Sequence, residues 1–175
     1  PNETHLTNLA MQELLEERGL ITSDEVRRKI ENFDTEYPGR GAKVVAKAWT
    51  DEKFKTRLLT DAKSAITGMG IDLETQSEIV VVENTPSTHN VIVCTLCSCY
   101  PRFLLGQPPT WYKSVAYRSR TVYEPRSVLR EFGTNLPEQV QIRVHDSNAD
   151  MRYMVLPMKP EGTDNWLPEK LETIV

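Results

Sequence analysis

The three cysteines of the chain lie within six positions, at Cys94, Cys97 and Cys99. Secreted domains held together by disulfides spread an even number of cysteines along the chain, so that each bridge closes a loop. An odd number packed this tightly cannot form such a framework, so the chain has to fold around an apolar core. Its 175 residues, of which 39% are hydrophobic, supply enough material for one domain, or for one domain with an appended arm.

Charge and hydropathy exclude two classes of partner. The chain has 21 lysines and arginines against 25 aspartates and glutamates, a formal net charge of −4. A nucleic-acid binder normally carries a basic excess or a basic stripe. No apolar run approaches the ~18 residues of a membrane span, and the first residues do not read as a signal peptide. We therefore expect a soluble cytoplasmic protein that binds neither nucleic acid nor a membrane.

Helical spacing dominates the first third of the chain, and β-branched runs begin near residue 78. The predicted helices are one with the apolar positions Leu6, Leu9 and Leu14 that stops at Gly19, one from Asp24 to about Phe33 capped by Ser23, Ala42–Trp49, Asp51 to about Ile66 closed by Gly68 and Gly70, and Pro125–Phe132 closed by Gly133. The predicted strands are Ile79–Val82, Val91–Val93, about Val140–His145, and Arg152–Leu156.

This order predicts an α+β fold with two parts. Residues 1–41 form an N-terminal helical arm, and residues 42–175 form a compact layered α/β/α-type domain with a small mixed sheet and a metal-binding loop. The apolar stripe of the first helix is too narrow to bury much against its own domain. The arm is therefore either a solvated surface helix or a segment that packs on a partner subunit.

The cysteines follow the second β-branched run and have the spacing C-x-x-C-x-C. Four uses compete. A structural zinc site needs four ligands, with His89 as the fourth; an iron–sulfur cluster normally needs four cysteines; a C-x-x-C redox pair leaves the third cysteine unexplained. The fourth use is a transition metal held by three thiolates and by backbone amide nitrogens of the same loop.

The spacing suits this last arrangement. The amide nitrogens of Ser98 and Cys99 lie between the sulfurs of Cys97 and Cys99, so the four atoms can form a flat N2S2 set around a metal. Cys94 can then supply an axial sulfur, which leaves a sixth position open. Anionic amides and thiolates are strong donors that favour a trivalent low-spin ion over zinc. An open position on such an ion favours a hydration or hydrolysis reaction.

The sequence around the cysteines resembles nitrile hydratase α subunits and the related thiocyanate hydrolase γ subunit. The likeness covers roughly residues 42–175. It is carried by Val93-Cys94-Thr95-Leu96-Cys97-Ser98-Cys99-Tyr100, Glu83-Asn84-Thr85-Pro86, Leu105-Gly106-Gln107-Pro108-Pro109-Thr110-Trp111-Tyr112-Lys113, Tyr117-Arg118, Glu124-Pro125-Arg126, Glu131-Phe132-Gly133, and Arg152-Tyr153-Met154-Val155-Leu156-Pro157.

The resemblance implies a ligand set and partners. Cys94 stays a thiolate, Cys97 becomes a sulfinate and Cys99 a sulfenate, while Ser98 and Cys99 give amide nitrogens. The sulfenate oxygen of Cys99 acts as nucleophile or base, and the Ser98 hydroxyl orients the loop. A β-type subunit, in one chain or split into two, is expected to hold the sulfur oxygens with its arginines. A separate activator protein is expected to insert the metal.

The same resemblance bears on metal and substrate. Thr95 and Tyr100 favour Co(III), one ion per chain, over iron. Arg102 and Phe103 look closer to thiocyanate hydrolase, whereas the segment around Asn84 looks more like nitrile hydratase. We expect the metal-carrying subunit of a cobalt nitrile hydratase, an enzyme that hydrates a small nitrile to its amide. The alternatives are a thiocyanate hydrolase γ-type subunit, a cobalt-carrying protein without activity, and a zinc structural module.

Other residues are expected to support the site or the fold. Gln76 is a candidate support for the metal ligands or a turn residue, and Trp111 and Tyr112 are expected to pack under the metal loop. The remaining candidates are expected to be satisfied polar residues, structural ion-pair formers or contacts to a partner: His5, His89, His145, Arg118 and Arg126.

Overall fold

The computed structural model describes residues 3–34, 36–73, 75–97 and 99–175. In chain order, its elements are α1 (Glu3–Glu17), α2 (Ser23–Asp34), α3 (Glu36–Thr50), α4 (Glu52–Thr60), α5 (Ala62–Thr67), β1 (Glu78–Glu83), β2 (Thr88–Val93), α6 (Arg102–Leu105), a 3-10 helix (Thr110–Lys113), α7 (Val115–Tyr123), α8 (Pro125–Glu131), β3 (Gln141–Asp146), β4 (Met151–Leu156) and α9 (Pro168–Glu172). Within these ranges, no helix is both long and apolar enough to cross a membrane.

Several helix boundaries differ from the sequence prediction. The cap of α2 is Thr22 and not Ser23, because the Thr22 hydroxyl accepts from the Glu25 amide while the Glu25 carboxylate accepts from the Thr22 amide. Such a reciprocal pair satisfies two amides at the start of a helix. The helix predicted over Asp51–Ile66 is divided at Asp61, whose carboxylate accepts from the Ser64 amide and starts a new helix.

Helix α3 begins at Glu36, six residues before the predicted start at Ala42. Pro38 lies in its first turn, where a missing amide proton costs nothing. Further along the helix, Gly41 lets α3 approach α6 closely. A Cβ on Gly41 would lie 2.5 Å from Leu105 Cδ2 and 2.9 Å from the Leu104 carbonyl oxygen, so a side chain there would displace backbone.

The four strands form two parallel pairs, β1 with β4 and β2 with β3. The α+β class is therefore confirmed, while the predicted small mixed sheet is replaced by two separate pairs. Parallel neighbours need long connections, and each strand here pairs with one that is distant along the chain and not with the strand that follows it closely. The short segments after β1 and β3 instead carry the chain from one sheet to the other.

Each sheet has its own apolar cluster. A large aliphatic cluster covers β1 and β4 and is built from α3, α4, α5 and α6, with Val44, Phe54, Leu58, Ile66, Leu104 and Leu156 buried. A smaller cluster beside β2 contains Val93, Tyr112, Tyr117 and Val128. Helix α1 has no buried residue, and its predicted stripe, Leu6, Leu9 and Leu14, is exposed.

Candidate metal centre

The cysteine loop, residues 94–99, leaves the carboxyl end of β2 directly after the fully buried Val93. The Sγ atom of Cys97 lies 3.1 Å from that of Cys94 and 3.0 Å from that of Cys99. All three sulfurs lie within 4.8 Å of one another, so one ion can contact all of them. The Cys97 amide donates to the Cys94 sulfur at 3.3 Å. Ser98, predicted as an amide ligand and orienting residue, lies outside the described residues.

The sulfurs differ in their exposure. Cys94 is buried, Cys99 is half-buried and Cys97 is exposed. Burial, a hydrogen bond with Cys97 and the charges of Cys94 and Cys97 raise the pKa of the Cys99 thiol to about 12. Three adjacent thiolates are thus costly without a counter-charge, and a bound cation removes that cost by coordinating them. The sulfur donors suit soft transition metals and not magnesium or calcium.

Three side chains distant in sequence contact the cysteine loop. The carboxylate of Asp146, at the end of β3, accepts from the Thr95 amide at 2.9 Å and from its hydroxyl at 2.5 Å. Arg118, on α7, donates to the carbonyl oxygens of Thr95 and Cys97 at 3.2 and 3.3 Å. The Tyr112 hydroxyl donates to the Cys99 carbonyl at 2.9 Å.

A cavity of about 230 Å³ opens beside two of the three cysteines. Its lining residues are Cys97, Cys99, Tyr100, Arg102 and Arg152. Arg152 donates to the Tyr100 carbonyl oxygen at 3.1 Å, while its buried Nε has no hydrogen-bond partner in the part of the chain that the structure describes. The cavity therefore places cationic side chains next to the sulfurs that face solvent.

The supporting residues predicted from the sequence have mixed outcomes. Tyr112 packs under the loop as expected, whereas Trp111 is 42% exposed and contacts Tyr117 and Phe132. Gln76 is exposed and does not line the cavity beside the cysteines. The Gln76 side chain therefore faces solvent at the bend before β1.

The predictions for the histidines and for Arg126 also have mixed outcomes. His89, on β2, contacts the Asn84 side chain and does not join the sulfur cluster, so the described residues form no zinc site of three cysteines and His89. The His145 Nε2 atom forms a hydrogen bond with Asn90 Oδ1 at 2.8 Å, so His145 is a polar residue with a hydrogen-bond partner, as predicted. Arg126 holds backbone carbonyls of a surface loop, at Leu136, Pro137 and Val140.

Sequence reasoning missed the roles of three residues at the site. Arg118 was expected in an ion pair or a partner contact, but it holds the cysteine loop. Asp146 was not proposed for the site, and Arg152 was noted only as part of a resembling segment. A clue to Asp146 was available, because a carboxylate directly after a predicted strand lies at the strand's carboxyl end, where the cysteine loop also begins.

Fold and site together define an α+β protein with a metal-binding cysteine loop at the end of a parallel strand pair. A profile of the nitrile hydratase α chain matches residues 2–175. The chain belongs to this family, and the resemblance seen over residues 42–175 is thereby confirmed and extended through the predicted arm.

Individual relatives agree with the family assignment. The α subunit of a low-molecular-weight cobalt-containing nitrile hydratase from Rhodococcus rhodochrous is 50% identical over 167 residues, which cover 95% of this chain and 81% of that one. The thiocyanate hydrolase γ subunit of Thiobacillus thioparus is 40% identical over 185 residues, covering 99% and 76%.

Two solved structures have the same fold. One is a double mutant of the iron-type nitrile hydratase from Comamonas testosteroni Ni1, with a TM-score of 0.89, 41% identity, and coverage of 100% of this chain and 87% of that one. The other is a recombinant thiocyanate hydrolase comprising partially modified cobalt centres, with a TM-score of 0.87, 40% identity, and coverage of 100% and 86%.

Proposed function

We propose that the chain is the metal-carrying subunit of a cobalt nitrile hydratase, which adds water to a small nitrile and yields the amide. The observation that carries this proposal is the convergence of three cysteine sulfurs within 4.8 Å at the edge of a cavity. Relatives named as cobalt-containing, at 50% and 48% identity, support cobalt. The iron-type structure at 41% identity keeps iron as the second metal to test.

The proposed ligands are the sulfurs of Cys94, Cys97 and Cys99 and the amide nitrogens of Ser98 and Cys99. When bound, a low-spin Co(III) ion supplies a Lewis acid that polarises a nitrile or acidifies a water. The burial of each sulfur supports the proposed oxidation pattern, since oxidation follows exposure. Cys94 is shielded and stays a thiolate, whereas the less buried Cys97 and Cys99 are oxidised by dioxygen, which supplies the oxygen atoms of the sulfinate and the sulfenate.

The chain's own residues then have separate tasks. The cavity of about 230 Å³ admits a small substrate to the side of Cys97 and Cys99. The proposed sulfenate oxygen of Cys99 attacks the nitrile carbon or takes a proton from the attacking water. If the sulfenate acts as base, the water oxygen bonds to the nitrile carbon and both water protons move to nitrogen. If the sulfenate oxygen attacks, its S–O bond breaks as the amide leaves, the water oxygen replaces it on sulfur, and both water protons again move to nitrogen. Ser98 is proposed to orient the loop through its hydroxyl.

Thiocyanate hydrolysis is the second candidate, and Arg102 favours it. This side chain lines the cavity together with Cys97 and Cys99, so an anion entering there meets a positive charge. Thiocyanate is an anion, whereas simple nitriles are neutral. The 40% identity to a thiocyanate hydrolase γ subunit supports the same candidate.

The proposed partners are a β-type subunit, in one chain or two, and a protein that inserts cobalt. Helix α1 supports the first, because it buries no residue in the chain itself and exposes Leu6, Leu9 and Leu14. We propose residues 1–41 as an arm that embraces this partner and residues 42–175 as the catalytic domain. Three free thiols next to one another fit synthesis in the reducing cytoplasm.

The deciding experiment is to co-purify the chain with its neighbouring subunits from cobalt medium. Metal analysis and intact mass are measured first, and nitriles and thiocyanate are then assayed side by side. About one cobalt per chain, added oxygens and amide formation support nitrile hydration. Turnover of thiocyanate alone selects the second candidate. Zinc with unmodified cysteines contradicts both.

A further inference from the structure

Two charged residues from different elements hold the segment Thr95–Cys97 of the cysteine loop, and neither is a proposed ligand. We propose that Arg118 and Asp146 are positioning residues that preform the metal site before the ion arrives. This inference rests on the proposed function, since it assigns the two residues to the same metal centre.

Asp146 and the residue after it fix the start of the loop on both sides of Cys94. In the β2–β3 pair it lies opposite Val93, and the following amide, of Ser147, donates to the Val93 carbonyl at 2.7 Å. Its carboxylate then reaches past Cys94 to accept from the amide and the hydroxyl of Thr95. The backbone before Cys94 and the residue after it are thus tied to two consecutive residues, Ser147 and Asp146, at the end of β3.

Arg118 fixes the other end of the segment. One of its nitrogens, Nη1, donates to the carbonyl oxygens of both Thr95 and Cys97. Helix α7 carries this side chain and is itself anchored to β2, since the Tyr117 hydroxyl donates to the Ile92 carbonyl at 2.7 Å. Neighbouring residues of one helix therefore contact the strand before the cysteines and the loop that contains them.

The position of Arg118 is suited to a thiolate-rich site. A guanidinium beside the loop offsets part of the negative charge that three thiolates concentrate there. The Cys97 carbonyl carbon is bonded to the nitrogen of Ser98, a proposed ligand, so a donor on the Cys97 oxygen restricts the orientation of that peptide. The buried Nε of Arg118 has no partner among the residues described, so it keeps a donor available at the loop.

The test compares variants of the co-purified, cobalt-loaded complex. Arg118→Gln and Asp146→Asn remove the two contacts, and Arg118→Lys keeps the charge without the planar fork. Arg126→Gln is the matched control, because Arg126 also holds several backbone carbonyls, but in a loop away from the cysteines. The readouts are cobalt per chain, the rate of cobalt loss to a chelator, the thiolate-to-cobalt absorption band, and Tm.

We expect Arg118→Gln to lose cobalt about 10–100-fold faster than the native complex and to shift the absorption band, as changes next to metal ligands do. Asp146→Asn should have a smaller effect in the same direction, since Asp146 and Thr95 are exposed. Arg118→Lys should lose cobalt at an intermediate rate. Partial retention of cobalt in this variant would show that the chain still folds and that the contacts of Arg118 position the loop. Arg126→Gln should lower Tm without changing the band.

The proposal is overturned if Arg118→Gln and Asp146→Asn retain cobalt and their spectrum as Arg126→Gln does. A native complex that holds a different metal contradicts the proposed cobalt function alone, and the same comparison of variants with that metal still decides the role of the two residues. A native complex that takes up no metal overturns both proposals.

Discussion

The two strand pairs differ in what surrounds them. Around β1 and β4, closely packed aliphatic side chains from four helices form the larger cluster. Around β2 and β3, the smaller cluster depends on two tyrosines whose hydroxyls donate to backbone carbonyls at Ile92 and Cys99. Burial raises the pKa of both tyrosines, so they remain neutral donors. The first pair supplies apolar stability, and the second uses directional bonds to place the cysteine loop.

A buried polar residue joins the two halves. The Asn90 side chain, on β2, donates to the Glu83 carbonyl at the end of β1 and accepts from His145 on β3 at 2.8 Å. Hydrogen bonds of this kind have one correct geometry, whereas aliphatic contacts tolerate small shifts. Asn90 therefore ties the end of β1 to β2 and β3 through hydrogen bonds.

The largest expected effect lies in the β2–β3 half. Replacing Cys94, Cys97 or Cys99 by serine should abolish cobalt retention or activity, because a hydroxyl cannot replace a thiolate on a low-spin trivalent ion. Metal analysis and nitrile turnover of the complex measure this, and Tm shows that the β1–β4 half still folds. Full activity in Cys97→Ser or Cys99→Ser would contradict the proposed oxidised cysteine ligands.

In the β1–β4 half, the expected effect falls on stability. Leu58 is fully buried in the aliphatic cluster, so Leu58→Ala should lower the free energy of unfolding by about 2–5 kcal/mol. The neighbouring Leu59 is 38% exposed, and Leu59→Ala serves as the matched control with a much smaller loss. Denaturant unfolding measures both. The folded fraction of Leu58→Ala should keep its cobalt, and loss of metal there would show that the two halves are not separable.

Acid should weaken the β2–β3 half first. Burial lowers the pKa of His89 and of His145, and the charge of Arg143 adds to the lowering at His145. The unfolded chain then binds protons more readily than the folded chain does. The stability that the two neutral histidines contribute is therefore fully present above about pH 6.5, and it is lost as the pH falls through their lowered pKa values. Unfolding measured between pH 7.5 and 5 should show this loss.

Substituting both histidines by glutamine should flatten that pH dependence. His5→Gln, on α1, is the control and should leave it unchanged. An equally steep dependence in the double variant would assign the acid sensitivity to other groups.

A smaller effect is expected when the Tyr117 hydroxyl is removed. Tyr117→Phe removes the bond to the Ile92 carbonyl and should cost about 1 kcal/mol of unfolding free energy. Cobalt loss should become faster, because α7 positions Arg118. Tyr123→Phe, at the exposed end of the same helix, should change neither quantity. Equal results for the two variants would show that α7 is held by packing alone.

The smallest effect on the fold is expected outside both halves. Removing residues 1–33 should lower Tm much less than it weakens complex formation, since α1 buries none of its residues and α2 contributes a hydrogen bond from Lys29 to the Tyr37 hydroxyl. Complex formation with the partner should weaken strongly, as measured by co-purification yield and by analytical ultracentrifugation. Normal assembly of the shortened chain would contradict the proposed arm.

Local patterns in the sequence were enough to predict several parts of the molecule. The β-branched runs marked β1 and β2, and Pro125 with Gly133 marked the two ends of α8, where Gly133 adopts a φ of 86°. The spacing of the cysteines predicted a shared metal site, because residues two and three apart on a tight loop bring their sulfurs together. Short-range stereochemistry decides such features, so they can be read from neighbouring residues.

Only the tertiary structure decided which distant residues meet at that site. Asp146 contacts Thr95 across 51 positions of sequence, and Arg118 reaches it across 23. The pairing of β2 with β3 brings Asp146 beside Val93, and no local pattern distinguishes this pairing from a pairing of β3 with β4. The cysteines' chemistry was thus determined by the sequence itself. Their support depends on parallel strand pairing and on the docking of α7, which are set by the burial of side chains from the whole chain.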